Sequence, residues 1–404
     1  MSAEIPFATI AEIRQRASRR PLHFFGRGNN AERTAGLVGI KPAVVLDNNP
    51  NVWGTTQMGV PVAGPDALAS PDESKPYVVI CSTSFGDISD QLSSLGFMPA
   101  EDYAVSPILE NQRVVAALER LSTRIYLTSG LPPREGAGGG GIYEVAVEGS
   151  HEWRQVHRGN CHGLIRLGEG FVGIDDDLGI VEFGRDFSVL RHQPLPTGSR
   201  AHGVSYSEAA RRFAVSCSFS DTVLLLDRDF RTVGEFSISQ KRQRDGEPAH
   251  HINDVLAVGG SVYVSMFSLT GNWKRGIYDG GILEFDAETL QPVGPVASGL
   301  WMPHSIELVG DSMAVLDSLR GALLKNNLQE IGRFPGFMRG LSHDGRFFYV
   351  GQSRNRNLGY SVGLSNNISI DSGVVVFDEA SKVSRTLYLP PAVSEIHAVV
   401  TAGD

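Results

Sequence analysis

His162, His202, His304 and His397 each stand second in a short stretch that recurs through the last two-thirds of the chain: Cys161-His162-Gly163-Leu164, Ala201-His202-Gly203-Val204, Pro303-His304-Ser305-Ile306 and Ile396-His397-Ala398-Val399. A fifth copy, Met338-Arg339-Gly340-Leu341, carries Arg339 at that position, and a divergent sixth, His250-His251-Ile252-Asn253-Asp254-Val255, places Asn253 there. A neutral imidazole presents a nitrogen lone pair that suits Zn²⁺, Fe²⁺, Mn²⁺, Co²⁺ or Ni²⁺. Several converging with coordination positions left open make a catalytic rather than a closed structural centre. Arg339 cannot be a ligand and would repel a nearby cation, but it can bind an anionic substrate opposite the ion as a two-pronged fork. His250 and His251 are candidate second ligands or bases, and Asp221 is a candidate proton carrier. Two other readings stay open: acid/base histidines without a metal, and a repeat-consensus histidine that bonds the backbone of its neighbour.

Such residues meet only if the repeat itself forms a ring. Each copy opens a strand, a marked turn and a second apolar run follow (Phe171-Ile174, Phe213-Ser216, Val262-Ser265, Met313-Leu316, Phe347-Val350), and a third run ends polar, as in Val223-Leu226 before Asp227. Four short strands per unit, at a period of roughly 35 to 60 residues, are the signature of a β-propeller blade. The chain ends just after His397, and the strands that blade still needs stand upstream at Arg124-Thr128, Gly141-Val145 and His151-Val156. The expected fold is therefore mainly β: a six-bladed propeller over 121–404 whose N- and C-terminal strands share one blade, preceded by an α/β Rossmann-like domain over 1–120. Closing the ring removes the open sheet edge.

In such a ring the repeated positions line one mouth of the central channel, and the loops between second and third strands open on the same face. Those loops bring Asp175-Asp176-Asp177, Asp221, Trp273, Lys274, Arg275, Tyr278, Arg320, Arg354 and Arg356 to the mouth. A basic mouth on an acidic protein predicts a small anionic substrate, a carboxylate, phosphate or nucleotide sugar. Asn253, Arg320, Arg354 and Arg356 are the candidate contacts to it, with Trp273 and Tyr278 stacking on a sugar or base. Some of these bases are expected to pair with Asp175, Asp221, Asp279 or Asp317 across blades. The loops after Ser265 and Gln352 are the longest and are candidate lids.

The 404 residues carry a net charge of −9, which argues against a sequence-independent nucleic-acid binder. No apolar stretch approaches the roughly 20 residues that span a bilayer, and the first residues show no leader pattern. Three widely spaced cysteines, Cys81, Cys161 and Cys217, fit a reducing compartment, so a cytoplasmic location is expected, with a homo-oligomer open.

The N-terminal third has its own motif. Leu22-His23-Phe24-Phe25 reads as a strand running into Gly26-Arg27-Gly28-Asn29-Asn30-Ala31, and a second strand, Ala43-Val44-Val45-Leu46, ends at Asp47. This matches a dinucleotide fingerprint: Gly26 and Gly28 let the backbone approach a phosphate at a helix N-terminus, and Asp47 accepts from a ribose hydroxyl. A bound nucleotide and a purely structural or docking role are both open.

The run from Val45 through Trp53-Gly54-Thr55-Thr56, Gly59-Val60-Pro61-Val62 and Pro65-Asp66-Ala67-Leu68 resembles small Rossmann-like modules attached to sugar-modifying and polysaccharide-biosynthesis proteins. Ser216-Cys217-Ser218-Phe219-Ser220-Asp221, Trp301-Met302-Pro303-His304-Ser305 and Gly351-Gln352-Ser353-Arg354 resemble a bacterial family of unassigned role, DUF4915. That resemblance implies the propeller rather than an activity. The ring is nearer in ligand type to the zinc-binding peptidyl-hydroxyglycine amidating lyases than to the calcium-binding gluconolactonase group, though it departs from the former in lacking a leader and a disulfide set. Two readings follow. One is a metal-dependent lyase, hydrolase or isomerase acting on a small anionic, sugar-like or nucleotide-sugar metabolite. The other is a non-catalytic module that binds a glycan, nucleotide or partner protein.

Overall fold

The computed structural model describes residues 5–69, 75–130, 139–355 and 367–401. Contacts divide the chain between Arg120 and Leu121, and each unit is taken by itself.

The second unit is built from six four-stranded antiparallel sheets. Taken from the first blade, their innermost strands are Val399–Thr401, Cys161–Leu167, Ala201–Ser207, Ile252–Val258, Pro303–Val309 and Phe337–His343. The first blade combines Val399–Thr401 with Ser122–Ser129, Gly141–Glu148 and Ser150–Arg158, so both ends of the unit share it. The third strands Thr222–Leu226 and Gly373–Phe377 are buried at every position. Both faces of each are packed, which is why the sequence there is a continuous apolar run rather than an alternation. The core lies between blades: Val172 and Ile174 of the second pack with Phe213 and Leu224 of the third, and Ala314 of the fifth packs with Phe348 and Val375 of the sixth.

Five innermost strands slip register at the same place, between Cys161 and Leu164, Ala201 and Val204, Ile252 and Val255, His304 and Ile306, and Met338 and Leu341. A β-bulge re-aims a side chain and leaves an amide out of the ladder. In four of the five strands the bulge falls on the repeated position, at His162, His202, Asn253 and Arg339, whereas His304 stays paired with Leu316 and the bulge falls on Ser305. Buried hydroxyls of the second strands satisfy the freed amides. Gly203 N–H donates to Ser216 Oγ (2.9 Å), which donates to the Asn253 carbonyl of the next blade (2.5 Å). Likewise Ala398 N–H donates to Thr128 Oγ1 (2.9 Å), whose hydroxyl donates to the His162 carbonyl. The glycine after the histidine has a separate cause: a Cβ at Gly163 would lie 2.6 Å from the His202 carbonyl oxygen. Only a bare backbone lets neighbouring innermost strands close this tightly on the axis.

The first unit holds a mixed six-stranded sheet in the order Thr56–Gln57, Val60–Ala63, Val44–Leu46, Leu22–Phe25, Tyr77–Ile80, Tyr103–Val105. All pairings are parallel except the first. Helix Ile10–Ala17 begins at the capping box of Thr9 and Glu12. The strands Thr56–Gln57 and Tyr103–Val105 and the helix Phe85–Ser94 extend the sheet beyond what the apolar pattern alone reveals. The first unit is thus an α/β unit with a mixed sheet, in which the antiparallel strand Thr56–Gln57 departs from the all-parallel sheet expected of a Rossmann-like domain. Among the described residues no helix is long and apolar enough to cross a membrane.

Candidate functional site

Three imidazoles converge from three blades. His162, His202 and His397 each offer a ring nitrogen, and these atoms all lie within 4.8 Å of one another. The ring centroids are 4.6 Å apart for His162 and His202, 4.5 Å for His162 and His397, and 6.0 Å for His202 and His397. His202 Nε2 is buried with no hydrogen-bond partner. Burial, with the neighbouring His162, His397 and His251 rings, holds the His202 imidazole well below the usual histidine range. Burial and His162 likewise press His397 down to about 3, against the opposing pull of Glu395. Both are therefore neutral near pH 7, the form that coordinates a metal.

The carboxylates around them come from the expected loop and from one place not foreseen. Asp176 Oδ1 lies 3.3 Å from His162 Nε2. Glu395, buried two residues before His397, puts Oε2 at 3.4 Å from Arg339 Nη1 and 3.5 Å from His397 Nε2. Arg339 Nη1 is also 3.5 Å from His397 Nδ1. Glu395 thus compensates the guanidinium charge, which removes most of the repulsion that Arg339 would exert on a cation at the imidazoles.

His304 does not join the other three. Its Nδ1 lies 2.9 Å from the Met302 carbonyl and 2.8 Å from Ser318 Oγ. The carbonyl can only accept, so Nδ1 carries the proton and Nε2 is the lone-pair nitrogen. Its ring sits between Phe267 (5.3 Å) and Phe337 (5.5 Å), and burial, then Arg339, keeps it well below its ordinary range.

Several expected catalytic groups turn out to be committed elsewhere. Asp221, fully buried at φ +49°, accepts from the amides of Ala249 (2.5 Å), His250 (2.9 Å) and His251 (2.9 Å). It clamps the third blade to the entrance of the fourth and has no oxygen to spare for proton transfer. His250 is bonded on both nitrogens, Nδ1 to the Ser268 carbonyl (2.8 Å) and Nε2 to Ser239 Oγ (2.7 Å). His251 is half-buried against Phe267 and Trp273, both at 4.4 Å, and stands 6.3 Å from His202. Asn253 lines the cavity while its amide donates to the His251 carbonyl (3.2 Å).

The mouth is also less basic than its composition suggests. Arg320 pairs with Asp317 (2.9 Å) and lies over Trp301, and Lys274 reaches Glu247 (3.7 Å). Trp273 Nε1 donates to the Pro248 carbonyl (3.1 Å), and Tyr278 packs with it on a cluster around Phe267 and Phe337. Arg354 is exposed, and Arg356, with most of the loop expected to be a lid after Gln352, lies outside the described residues.

In the first unit, the loop amides expected at a phosphate are already taken. Gly26 N–H donates to the Leu46 carbonyl (2.8 Å), Arg27 N–H to Asp47 Oδ2 (2.9 Å) and Gly28 N–H to Gln57 Oε1 (3.1 Å). Asp47 accepts from the amides of Arg27 and Asn49.

Behind the imidazoles the channel widens into a cavity of about 280 Å³ lined by His202, Asn253, Asp254, His304, Glu307 and His397 among others. Burial raises the Asp254 carboxyl to about 6, and burial with the Asp254 charge raises Glu307 to about 7. Both groups hold their proton more firmly folded than unfolded. Their stabilising contribution is thus complete below about pH 4 and is lost as pH rises through about 6 to 7. The combined Asp254→Asn, Glu307→Gln variant is expected to flatten the decline in stability over that window. Urea unfolding of both proteins at acidic and mildly alkaline pH checks it, and parallel profiles would refute the assignment.

Residues 237–403 match the family Domain of unknown function (DUF4915). No curated protein matches the chain. Among solved structures, the chain is similar to a catalytically inactive virginiamycin B lyase from Staphylococcus aureus with quinupristin, at 13% identity and a TM-score of 0.38, covering 52% of this chain and 70% of that one. It is also similar to a provisionally assigned 6-phosphogluconolactonase from Bacteroides uniformis, at 9% identity and a TM-score of 0.41, covering 70% of this chain and 99% of that one.

Proposed function

We propose that the protein is a metal-dependent lyase, hydrolase or isomerase that acts on a small anionic, sugar-like metabolite in the central cavity of the propeller. The observation that carries this reading is the convergence of His162, His202 and His397, with a buried His202 nitrogen lacking a partner. An unpartnered buried nitrogen costs about 1–3 kcal/mol, and three together suit a divalent transition ion that keeps positions open for substrate. Such an ion supplies Lewis acidity toward a substrate carbonyl or hydroxyl oxygen. Arg339, held by Glu395, orients the anionic group. His304 Nε2 accepts a hydrogen bond from a substrate hydroxyl, and Asn253 with the Ser305 hydroxyl on the cavity wall positions the remaining oxygens. His250 and Asp221 have no part beyond holding the fourth blade in place.

Chelator-stripped protein, prepared without an affinity tag, is expected to melt higher on addition of Zn²⁺ or Co²⁺. A panel of sugar acids and sugar phosphates should then raise the melting temperature further only in the loaded form, since a ligand of the folded state stabilises it by mass action. Turnover of any such metabolite with chelator present and no ion retained would overturn the mechanism.

A further inference from the structure

A second convergence of ligand atoms lies where the outer strand of the first blade meets the innermost strand of the second. His157 Nε2, Cys161 Sγ and an Asp175 oxygen all lie within 4.8 Å of one another. His157 is half-buried, while Cys161 and Asp175 are 1% and 2% exposed. From this geometry we infer that His157, Cys161 and Asp175 bind a divalent ion of the zinc type, distinct from any ion held by the ring of histidines.

The spacing of these atoms fits coordination to one ion. His157 Nε2 is 3.4 Å and Cys161 Sγ 3.5 Å from Asp175 Oδ2. A charge-assisted nitrogen-to-carboxylate bond closes to about 2.7–2.9 Å. Four-coordinate zinc, with bonds of about 2.0–2.3 Å, instead spaces its ligands along tetrahedral edges of about 3.3–3.8 Å.

The surroundings orient each donor. Asp175 Oδ1 is anchored by the amides of Asp177 (2.9 Å) and Leu178 (3.1 Å), which leaves Oδ2 as the oxygen turned to the other two. The His157 ring is set edge-on to Phe183 at 5.0 Å. Outer contacts of this kind fix ligand geometry in metal sites. The backbone leaves the required room only because residue 159 is glycine: a Cβ there would stand 1.9 Å from Asp175 Oδ2 and 3.3 Å from His157 Nε2.

The donor set selects the ion. Thiolate with imidazole and carboxylate prefers Zn²⁺ or Co²⁺ over Mg²⁺ or Ca²⁺. Binding exchanges the thiol proton for the metal, and the proton leaves to solvent. Burial, with the Asp175 charge, pushes the free thiol up, so it is no nucleophile on its own. Its hydrogen bond runs to Asp175 rather than to His157.

Co²⁺ titration of the metal-stripped full chain tests the site, because a thiolate ligand gives a near-ultraviolet sulfur-to-cobalt charge-transfer band that imidazoles cannot. The band is expected in the parent protein and undiminished in His202→Ala. It should vanish in Cys161→Ala, and its midpoint should rise about tenfold or more in His157→Gln and Gly159→Ala. The His157 variant alters a half-buried side chain, so it keeps the test usable if Cys161→Ala fails to fold. Cobalt binding without the band, or a band that survives in Cys161→Ala, overturns the proposal. Absence of the band with imidazole-type visible absorption retained sinks this site alone, and the reverse pattern sinks the ring centre alone.

Discussion

The His202→Ala variant is expected to bind Zn²⁺ or Co²⁺ at the ring at least about tenfold more weakly than the parent, yet to be no less stable when both are metal-free. The two halves of this expectation have one cause. His202 Nε2 is buried without a partner, and its imidazole is held neutral by burial and by the neighbouring rings. In the metal-free protein that nitrogen is a cost of about 1–3 kcal/mol, which alanine removes. Once metal is present at about a hundred times its Kd for the ring, the parent gains about 2.7 kcal/mol there and a variant that binds about tenfold more weakly gains about 1.4 kcal/mol. Calorimetric metal titration with paired melting curves measures both halves. A variant that is strongly destabilised without metal, or that binds metal as the parent does, would show that His202 serves packing instead.

The Asp221→Ala variant should be the most damaging single change to the fold among the residues discussed. Three backbone amides donate to this carboxylate in a fully buried position. Alanine strands all three and places a Cβ residue at φ +49° with no side-chain hydrogen bond to stabilise it. A loss of about 3–5 kcal/mol follows, or a fall in melting temperature on the order of 10 °C for a unit of this size. Asp221→Asn, which tolerates that backbone and retains one acceptor, should lose less. Equal losses in the two variants, or a negligible one in alanine, would count against the clamp.

How far the site was legible in the sequence depends on what each residue answers to. The ring position was readable because the polar residue and the apolar residue two positions after it recur at every blade, with glycine between them at Gly163, Gly203 and Gly340. Even the divergent copy aligned, since the register of Ile252 with Met266 repeats that of Ala201 with Cys217. The partners were not readable. Glu395 meets Arg339 from 56 positions away, and Asp221 meets His250 across a blade boundary, so neither leaves a local pattern. His157 carries no signal in the sequence, because its neighbours Cys161 and Asp175 belong to the next blade. In the first unit the glycines and Asp47 stand where the fingerprint wants them. The three-residue strand Tyr103–Val105 and the side chain of Gln57, which decide the sheet and the loop, carry too little periodicity to detect. His304 shows the limit most directly: it has the same motif as the other three, yet it stays paired with Leu316, Met302 and Ser318 fix its tautomer, and its ring packs between Phe267 and Phe337.

The strand that seals the first blade, Val399–Thr401, follows His397 by two residues. The clasp of the ring and one of its three converging imidazoles are therefore a single piece of chain. While the ribosome is still making that segment, five blades can assemble around a gap, but no three-nitrogen pocket exists for an ion to enter. On the proposed metal-dependent reading, an ion captured afterwards would hold the seam fastened, so cellular metal supply would set how long the finished circle stays shut, and a protease probing for loose ends would find metal-starved molecules first.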